Sequence, residues 1–308
     1  MSRIHDALKK AEEEKMQKSP AETPEVQPVA YVAEEPTHEA AAAIVEPISA
    51  GQQTVVSPVH AEAALQRCAS VQWRPDRRVA LFLDANSQVA PGMEEFRTLR
   101  ARLFQMRAKK PLKSILVSSA LPDEGKSFVS GNLAQVFARQ RGGRTLLIDC
   151  DLRKPQLHEV LGAPRTPGVS EYLQGTVDEY SIIQKSGYDD LFFIPGGEVS
   201  PSTPELIGNG KLKTLLQNVG PLFSWIVLDS SPTAPVSDAS RIAEFCDGVI
   251  LVVRAASTPA SMAEMAKREF RDRPILGVVL NQVSQSEPTY SKYYYSQYGQ
   301  GKHTKHKQ

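Results

Sequence analysis

Runs of apolar and small residues divide the middle of the chain into predicted β-strands, at residues 114–119, 144–149, 191–195, 225–229, 248–253 and 275–280. Such unbroken runs are typical of parallel strands that helices cover on both faces of a sheet. Helical segments separate most of the runs, and strands that alternate with helices predict a doubly wound, mostly parallel α/β sheet. Ligands of these sheets bind at the carboxyl ends of the strands.

The same pattern divides the chain into four parts. Residues 1–18 predict a short charged helix, which is either a solvated helix that frays or a docking helix for a partner or a membrane surface. Residues 19–77 are rich in Pro, Ala, Glu, Val and Gln and would bury too little apolar area to offset ordering entropy, so we predict a disordered linker. The folded domain is predicted to span residues 78–285, and residues 286–308 are predicted to form a flexible tail.

Two segments of the predicted domain precede its first long strand. Residues 79–83 form a short apolar run and predict an edge strand. Residues 93–104 show apolar positions at helical spacing and predict an amphipathic helix. On another face of this helix Glu94, Arg97 and Arg100 lie three residues apart, which indicates either ion pairs within the helix or an interface with a neighbour's carboxylates.

Charge and composition exclude several classes of protein. The net charge of the 308 residues is +1, so no global field draws the chain to nucleic acid or to anionic lipid. Its three cysteines are far apart, which suits a reducing compartment. No apolar run reaches the roughly 18 residues that a membrane-spanning helix needs, and no signal-peptide core is present at the N-terminus. We therefore expect a cytoplasmic protein.

The loop between the first strand and the next helix fits the phosphate-binding pattern G-x-x-x-x-G-K-[ST], with Ala120 in the first glycine position. Backbone N–H groups of such a loop form a nest for an anion, and the helix adds the positive end of its dipole. Lys126 would contact the β- and γ-phosphates of ATP, and Ser127 would offer its hydroxyl to Mg²⁺. The candidate nucleotide-binding residues are Ala120, Asp123, Glu124, Gly125, Lys126, Ser127 and Phe128.

Three aspartates lie at the carboxyl ends of predicted strands. Asp229 matches the acidic residue that reaches Mg²⁺, usually through water, in phosphate-loop nucleotidases. Asp149 and Asp151 are two residues apart on an extended chain and point the same way, so one could approach Mg²⁺ and the other a nucleophile. A single strand-end aspartate can instead cap a helix. The candidate catalytic residues are Lys126, Asp149, Asp151 and Asp229, and the candidate metal ligands are Ser127, Asp149 and Asp229. Asn281, directly after the last predicted strand, is the candidate adenine contact from its position in the fold.

Five tyrosines crowd the C-terminal tail: Tyr290, Tyr293, Tyr294, Tyr295 and Tyr298. They form either an adhesive aromatic tail or a cluster of phosphate acceptors. A phenol with a pKa of about 10 is a poor nucleophile at neutral pH, but Asp149 or Asp151 could take its proton during attack on the γ-phosphate. Phosphates added there would repel one another and the acidic site, which would release the tail.

From about residue 78 to residue 298 the chain resembles the bacterial tyrosine kinases of polysaccharide biosynthesis, the CpsD/CapB-like autokinases. The phosphate loop, the run from Leu147 to Pro155, the run from Ile226 to Pro232 and the tyrosine cluster all match motifs of that family, as does E-x-x-R-x-x-R at Glu94, Arg97 and Arg100. The first eleven residues resemble those of soluble members that accompany exosortase-linked systems.

This resemblance implies a phosphate-loop NTPase with deviant Walker motifs that uses ATP and Mg²⁺ to phosphorylate tyrosines in a neighbour's tail. It implies a ring, an octamer, that forms through Glu94, Arg97 and Arg100 and dissociates on phosphorylation. It implies that Asp149 is the base and that Asp151 and Asp229 organise the metal. The implied partners are a transmembrane chain-length regulator of polysaccharide export, which would hold the kinase at the inner face of the membrane, and a tyrosine phosphatase; no nucleic acid is implied.

Two other functions fit the same fold. One is a switch ATPase of the MinD/ParA type, but those proteins carry an extra lysine at the second loop position, where this chain has Leu121. The other is a scaffold that binds nucleotide without significant kinase activity.

Overall fold

The computed structural model describes residues 58–76, 79–82, 92–140, 142–188, 190–234 and 236–283. The helices are α1 (Pro58–Gln66), α2 (Met93–Arg107), α3 (Lys126–Ala138), α4 (Leu157–Leu161), α5 (Val169–Gln174), α6 (Thr203–Gly208), α7 (Lys211–Val219), α8 (Asp238–Ala243) and α9 (Ala260–Glu269). The strands are β1 (Ala69–Ser70), β2 (Ser114–Ser119), β3 (Thr145–Asp149), β4 (Gln184–Lys185), β5 (Leu191–Ile194), β6 (Trp225–Asp229), β7 (Gly248–Arg254) and β8 (Ile275–Asn281). Within these residues no helix is long and apolar enough to cross a bilayer.

The strands form one sheet in the order β1-β4-β5-β3-β6-β2-β7-β8. Neighbouring strands are parallel except β4 and β5, which are antiparallel. The prediction of a doubly wound, mostly parallel sheet is therefore confirmed. Strand β2 lies between β6 and β7, so the loop that follows it opens beside the ends of both strands.

Two apolar layers cover the sheet, one on each face. Alternate residues of β3 enter opposite layers, because Leu146 and Ile148 belong to one cluster and Leu147 to the other. The layer that contains α3 is closed by Trp225, which stacks on Phe137 with ring centroids 4.3 Å apart. Strands β2, β3, β5 and β6 are buried throughout, whereas the edge strand β8, which the sequence also predicted to be covered on both faces, exposes Val278 and Leu280.

The predicted linker is wrong over residues 58–76, which belong to the folded unit. Helix α1 and strand β1 lie in this stretch, and Ala69 pairs with Gln184 of β4. Trp73 is 2% exposed and packs against the ring of Phe193. The apolar residues of this stretch bury against distant elements, because Leu65 and Cys68 enter one apolar layer and Trp73 enters the other. The rest of the linker, the helix 1–18 and the tyrosine tail lie outside the described residues.

The predicted edge strand at 79–83 is wrong for its described residues, 79–82, which form a turn. The N–H of Leu81 donates to Asn132 Oδ1 at 2.9 Å, and that of Phe82 donates to Gln135 Oε1 at 3.0 Å. Both acceptors are buried side chains of α3. They satisfy the backbone donors that a strand would have paired with a neighbour. The predicted helix at 93–104 is confirmed as α2.

Candidate functional site

The phosphate loop joins β2 to α3 and carries two residues in the left-handed region. The φ angle is 60° at Asp123 and 87° at Gly125, the residue before α3. Glycine adopts a positive φ without steric cost, whereas Asp123 needs support from its surroundings. Such alternation turns successive backbone N–H groups toward one side, which is the geometry of an anion nest. The loop thus has the shape that phosphate binding requires.

The side chain of Glu124 fastens this loop to the end of β7. Its carboxylate is buried and accepts the N–H of Leu121 at 2.6 Å. The second oxygen accepts the N–H of Arg254 at 3.2 Å and the hydroxyl of Thr258. A buried carboxylate is stable only with such donors. Both oxygens of the Glu124 carboxylate are therefore bonded within the protein, and only the backbone N–H of Glu124 remains to bind a phosphate.

Phe128, another candidate nucleotide contact, has its ring in the apolar layer. The ring lies against Phe96 of α2 with centroids 5.8 Å apart, in an edge contact. Its side chain thus links α2 to the first turn of α3. Sequence position alone does not distinguish a loop residue that faces the nucleotide from one that faces the core.

The three candidate aspartates meet Lys126 at the carboxyl edge of the sheet. Asp149 and Asp229 lie opposite each other in the paired ends of β3 and β6. The Nζ atom of Lys126 is 3.0 Å from Oδ2 of Asp151, and both side chains are nearly buried. The charges of all three aspartates favour the protonated amine and raise the pKa of Lys126 despite its burial. One ammonium group therefore balances part of a cluster of three carboxylates.

Asp149 is held by the backbone that follows it. Its oxygens accept the N–H groups of Asp151 at 3.2 Å, Gln156 at 3.1 Å and Leu157 at 3.0 Å. The last two precede or begin α4, so the helix-capping alternative applies to Asp149 in part. Burial is the main cause that raises its pKa well above the usual range, and the charge of Asp229 adds to the effect. Asp149 is thus a fixed carboxylate with an increased affinity for a proton.

Asp229 is buried, and within the described residues neither of its carboxylate oxygens has a hydrogen-bond partner. Burial raises its pKa from the usual 3.8 to about 6, against the lowering effects of Lys126 and of the Ser127 hydroxyl. Ser130, which also faces it, donates its hydroxyl to the carbonyl of Lys126 at 3.0 Å. The hydroxyls of Ser127 and Ser130 thus lie near the carboxylate but do not satisfy it with hydrogen bonds of good geometry. Such a buried carboxylate is costly unless a ligand completes it.

These residues fit a hydrated magnesium ion bound with a nucleotide. Asp229 offers two free acceptor oxygens, and the hydroxyl of Ser127 lies beside it. Among the described residues no group of three or more His, Cys, Asp or Glu side chains is arranged to hold a bare metal ion. Magnesium bound through phosphates and waters needs only one or two carboxylates, so this arrangement suits Mg²⁺ with ATP.

Comparisons with known proteins give the family. A model of the CobQ/CobB/MinD/ParA nucleotide binding domain matches residues 115–302. The tyrosine-protein kinase CpsD of Streptococcus agalactiae is 32% identical over 215 residues, which are 69% of this chain and 93% of the relative. The chain belongs to the bacterial tyrosine kinases.

Two further similarities extend this result. The succinoglycan biosynthesis transport protein ExoP of Rhizobium meliloti (strain 1021) is 34% identical over 200 residues, which are 63% of this chain but only 25% of ExoP. The crystal structure of the chimerical protein CapA2B2 has a TM-score of 0.63 and 25% sequence identity, and the match covers 74% of this chain and 100% of that chain. The chimerical protein CapA2B2 therefore shares the fold described above.

One ion pair near the site of this bacterial tyrosine kinase was not predicted. Arg153, which follows the aspartates of β3, donates from Nε to Asp238 Oδ2 at 2.6 Å. Asp238 is buried in the first turn of α8, and its hydrogen bond raises the pKa of Arg153. The pair ties the loop after β3 to the segment after β6. No motif links the two positions, which are 85 residues apart.

The candidate interface residues of α2 do not share one environment. Glu94 and Arg97 form an exposed ion pair at 2.9 Å. Arg100 instead turns inward, and its Nη1 donates to the carbonyl of Val136 at 2.9 Å, near the end of α3. The ion-pair alternative is therefore represented by Glu94 and Arg97, whereas Arg100 supports the phosphate-loop helix. An interface with a neighbour's carboxylates stays a prediction. The phosphate-accepting tyrosines lie outside the described residues.

Proposed function

We propose that this chain is an ATP-dependent protein-tyrosine autokinase that phosphorylates the tyrosine cluster of its own C-terminal tail in trans. The observation that carries the proposal is the juxtaposition of Lys126, paired with Asp151 at 3.0 Å, and the unpartnered carboxylate of Asp229 beside a phosphate loop. Family membership supports the reaction type, because CpsD of Streptococcus agalactiae is named a tyrosine-protein kinase.

Bound Mg²⁺–ATP would supply an electrophilic γ-phosphorus at the phosphate loop. Lys126 would neutralise phosphate charge, and Ser127 and Asp229 would orient the water shell of the metal. The phenol oxygen of a tyrosine forms the new bond to the γ-phosphorus while the bond to the bridging oxygen of ADP breaks. The phenol proton passes to a carboxylate, and the raised pKa of Asp149 favours that residue as the acceptor.

A mixing experiment tests transfer between chains. The donor is a chain that ends at Thr289 and lacks all five tail tyrosines, and the acceptor is the full-length Lys126→Met variant. With γ-labelled ATP, neither protein alone should take up label, and the mixture should label the acceptor. Transfer should depend on the concentration of both chains, which is measured by gel autoradiography and by mapping of labelled peptides.

The controls separate this proposal from its alternatives. A donor that combines the truncation with Lys126→Met should give no label in the mixture. Label on the truncated donor would show acceptors outside the tail. ATP hydrolysis by the full-length chain without any protein label would favour the switch ATPase, and nucleotide binding with neither hydrolysis nor label would favour the scaffold.

We further propose that the exposed Glu94–Arg97 pair on α2 takes part in a ring of identical chains, an octamer by resemblance to the family. Arg97→Glu should reduce the particle to smaller species in light scattering. The free energy of unfolding of this variant should stay within about 0.5 kcal/mol of that of wild type, because the ion pair is on the surface. Arg102→Glu is the matched control, since Arg102 is also exposed on α2 but lies on a different face of the helix. An unchanged particle with Arg97→Glu would contradict the proposed interface.

The cellular setting of the kinase is proposed from its relatives. ExoP is named a succinoglycan biosynthesis transport protein, and this chain spans only a quarter of its length. We infer that this kinase works with a membrane-spanning partner, at the inner face of the membrane, to control the chain length and export of an exopolysaccharide. A tyrosine phosphatase would reset the tail.

A further inference from the structure

Two side-chain amides at the end of β8 donate hydrogen bonds to backbone carbonyls of the phosphate loop. Asn281, the last residue of β8, donates from Nδ2 to the carbonyl of Glu124 at 2.9 Å. Gln282, the next residue, donates from Nε2 to the carbonyl of Asp123 at 3.3 Å. Gln282 has a φ of 56°, so the backbone turns at this point. Two successive peptide groups of the loop therefore have their oxygens bound by neighbouring side chains.

Binding these oxygens also sets the direction of the N–H groups. In a trans peptide the C=O and the N–H point in opposite directions across the same plane. When the carbonyl of Glu124 faces Asn281, the N–H of Gly125 must face the other way. By the same geometry, the bond from Gln282 to the carbonyl of Asp123 turns the N–H of Glu124. Each bond also polarises its peptide group and strengthens the N–H as a donor.

The close approach of Asn281 explains why glycine occupies position 125. A Cβ atom there would collide with the amide nitrogen of Asn281. Gly125 also has a positive φ, which an L side chain rarely adopts. The N–H of Leu121 is already bound to the Glu124 carboxylate. The N–H of Leu121 is thus unavailable to a phosphate, and the N–H groups of Glu124 and Gly125 take their orientation from the two amides.

We propose that Asn281 and Gln282 are positioning residues that aim the phosphate nest, an inference that rests on the proposed nucleotide site. The ligand they serve is the di- or triphosphate of the nucleotide rather than its base. Asn281 was predicted to contact adenine, and that role is the competing one. The two roles predict different results for pyrophosphate, which has no base: only a positioning residue of the phosphate loop should affect its affinity.

Asn281→Asp tests the proposal, because it keeps the size of the side chain and replaces the donor with a carboxylate. The free carboxylate would face the carbonyl of Glu124 and repel it. We expect the affinities for Mg²⁺–ADP, Mg²⁺–GDP and pyrophosphate to fall by the same factor, about 10-fold to 100-fold, as for loss of hydrogen bonds to a charged ligand. Titration calorimetry, with competition for the weak ligands, measures all three.

Asn209→Asp is the matched control. The amide of Asn209 also donates to a backbone carbonyl, that of Leu173 at 3.0 Å, in a segment away from the phosphate loop. Its affinity for the three ligands should equal that of wild type. Gln282→Glu should give a smaller loss, about 3-fold, because the bond is longer, and it supplies the same test if Asn281→Asp does not fold.

An unchanged affinity for pyrophosphate in both variants would overturn the proposal. A changed ratio of ADP to GDP affinity with pyrophosphate unaffected would assign Asn281 to the base instead. Binding is measured without phosphoryl transfer, so the outcome is separate from the proposed function. A wild-type chain that binds ADP but labels no tyrosine would refute the kinase proposal and leave this inference standing.

Discussion

Replacement of Asp229 with asparagine is expected to raise the melting temperature of the nucleotide-free protein while lowering phosphoryl transfer about 10³-fold. The carboxylate is buried and lacks hydrogen-bond partners among the described residues. Its pKa of about 6 means that ionising it in the fold costs on the order of 3 kcal/mol more than in the unfolded chain. An unpaired buried amide costs about 1–3 kcal/mol, so the net gain is about 1 kcal/mol. For a domain of this size that raises the melting temperature by about 2–4 °C.

The sign of this effect depends on pH. The folded-state pKa of Asp229 is raised, so its destabilisation begins above the usual value of 3.8 and is complete once the pH exceeds about 6. The melting temperature of Asp229→Asn minus that of wild type should therefore increase between pH 4 and pH 6.5 and then level off. Differential scanning fluorimetry without nucleotide, followed over this range, measures the difference.

Asp178 provides a control of opposite sign. It accepts backbone N–H groups of Ser181 and Tyr180, which lower its pKa. Asp178→Asn should slightly lower the melting temperature at neutral pH and leave activity intact. A fall in melting temperature for Asp229→Asn as well would mean that the buried carboxylate is compensated, and the proposed metal role would lose its main support.

Lys126→Met is expected to abolish label transfer and, unlike Asp229→Asn, to destabilise the protein. The ammonium group is the partner of Asp151 at 3.0 Å and also offsets the charges of Asp149 and Asp229. Removal of one partner from a buried ion pair costs about 3–5 kcal/mol. We therefore expect the melting temperature to fall by about 10 °C at pH 7.5.

Acid should partly rescue this variant. Without Lys126 the pKa of Asp229 rises above its value of about 6, so protonation between pH 7.5 and pH 5 reduces the repulsion between Asp229 and Asp149. The deficit relative to wild type should therefore shrink as the pH falls from 7.5 to 5. The exposed Lys213 serves as the control, since Lys213→Met should leave stability and activity unchanged. An equal deficit at every pH would point to lost packing instead of uncompensated charge.

The parts of the site that sequence predicts are those written in consecutive residues. The run from Ala120 to Ser127 carries both the loop and its lysine, and strand ends locate the three aspartates because each follows an apolar run. The contacts that support the loop are different in kind. Asn281 and Glu124 are 157 residues apart, and Glu124 and Thr258 are 134 apart. No local pattern records such pairings, since they arise only when β7 and β8 align beside β2.

The same reason explains the two errors in the fold. Trp73 is buried by β5 and its neighbours, although the sequence around it has the polarity of a linker. The apolar run at 79–82 has the composition of a strand, but the side chains of Asn132 and Gln135 take its backbone donors. In both places the partner that decides the conformation is distant along the chain, so tertiary contacts override local preference.

The hydrogen bond from Gln282 to the phosphate loop bears on whether the kinase phosphorylates its own tail or that of a neighbouring chain. Eight residues lead from Gln282 to Tyr290, a tether that can extend at most about 28 Å. A tether this short would give Tyr290 a local concentration of roughly millimolar near the active site of its own chain. The length of the tether alone thus favours phosphorylation within the same chain. A preference for the adjacent subunit must come from the direction in which the chain leaves the sheet.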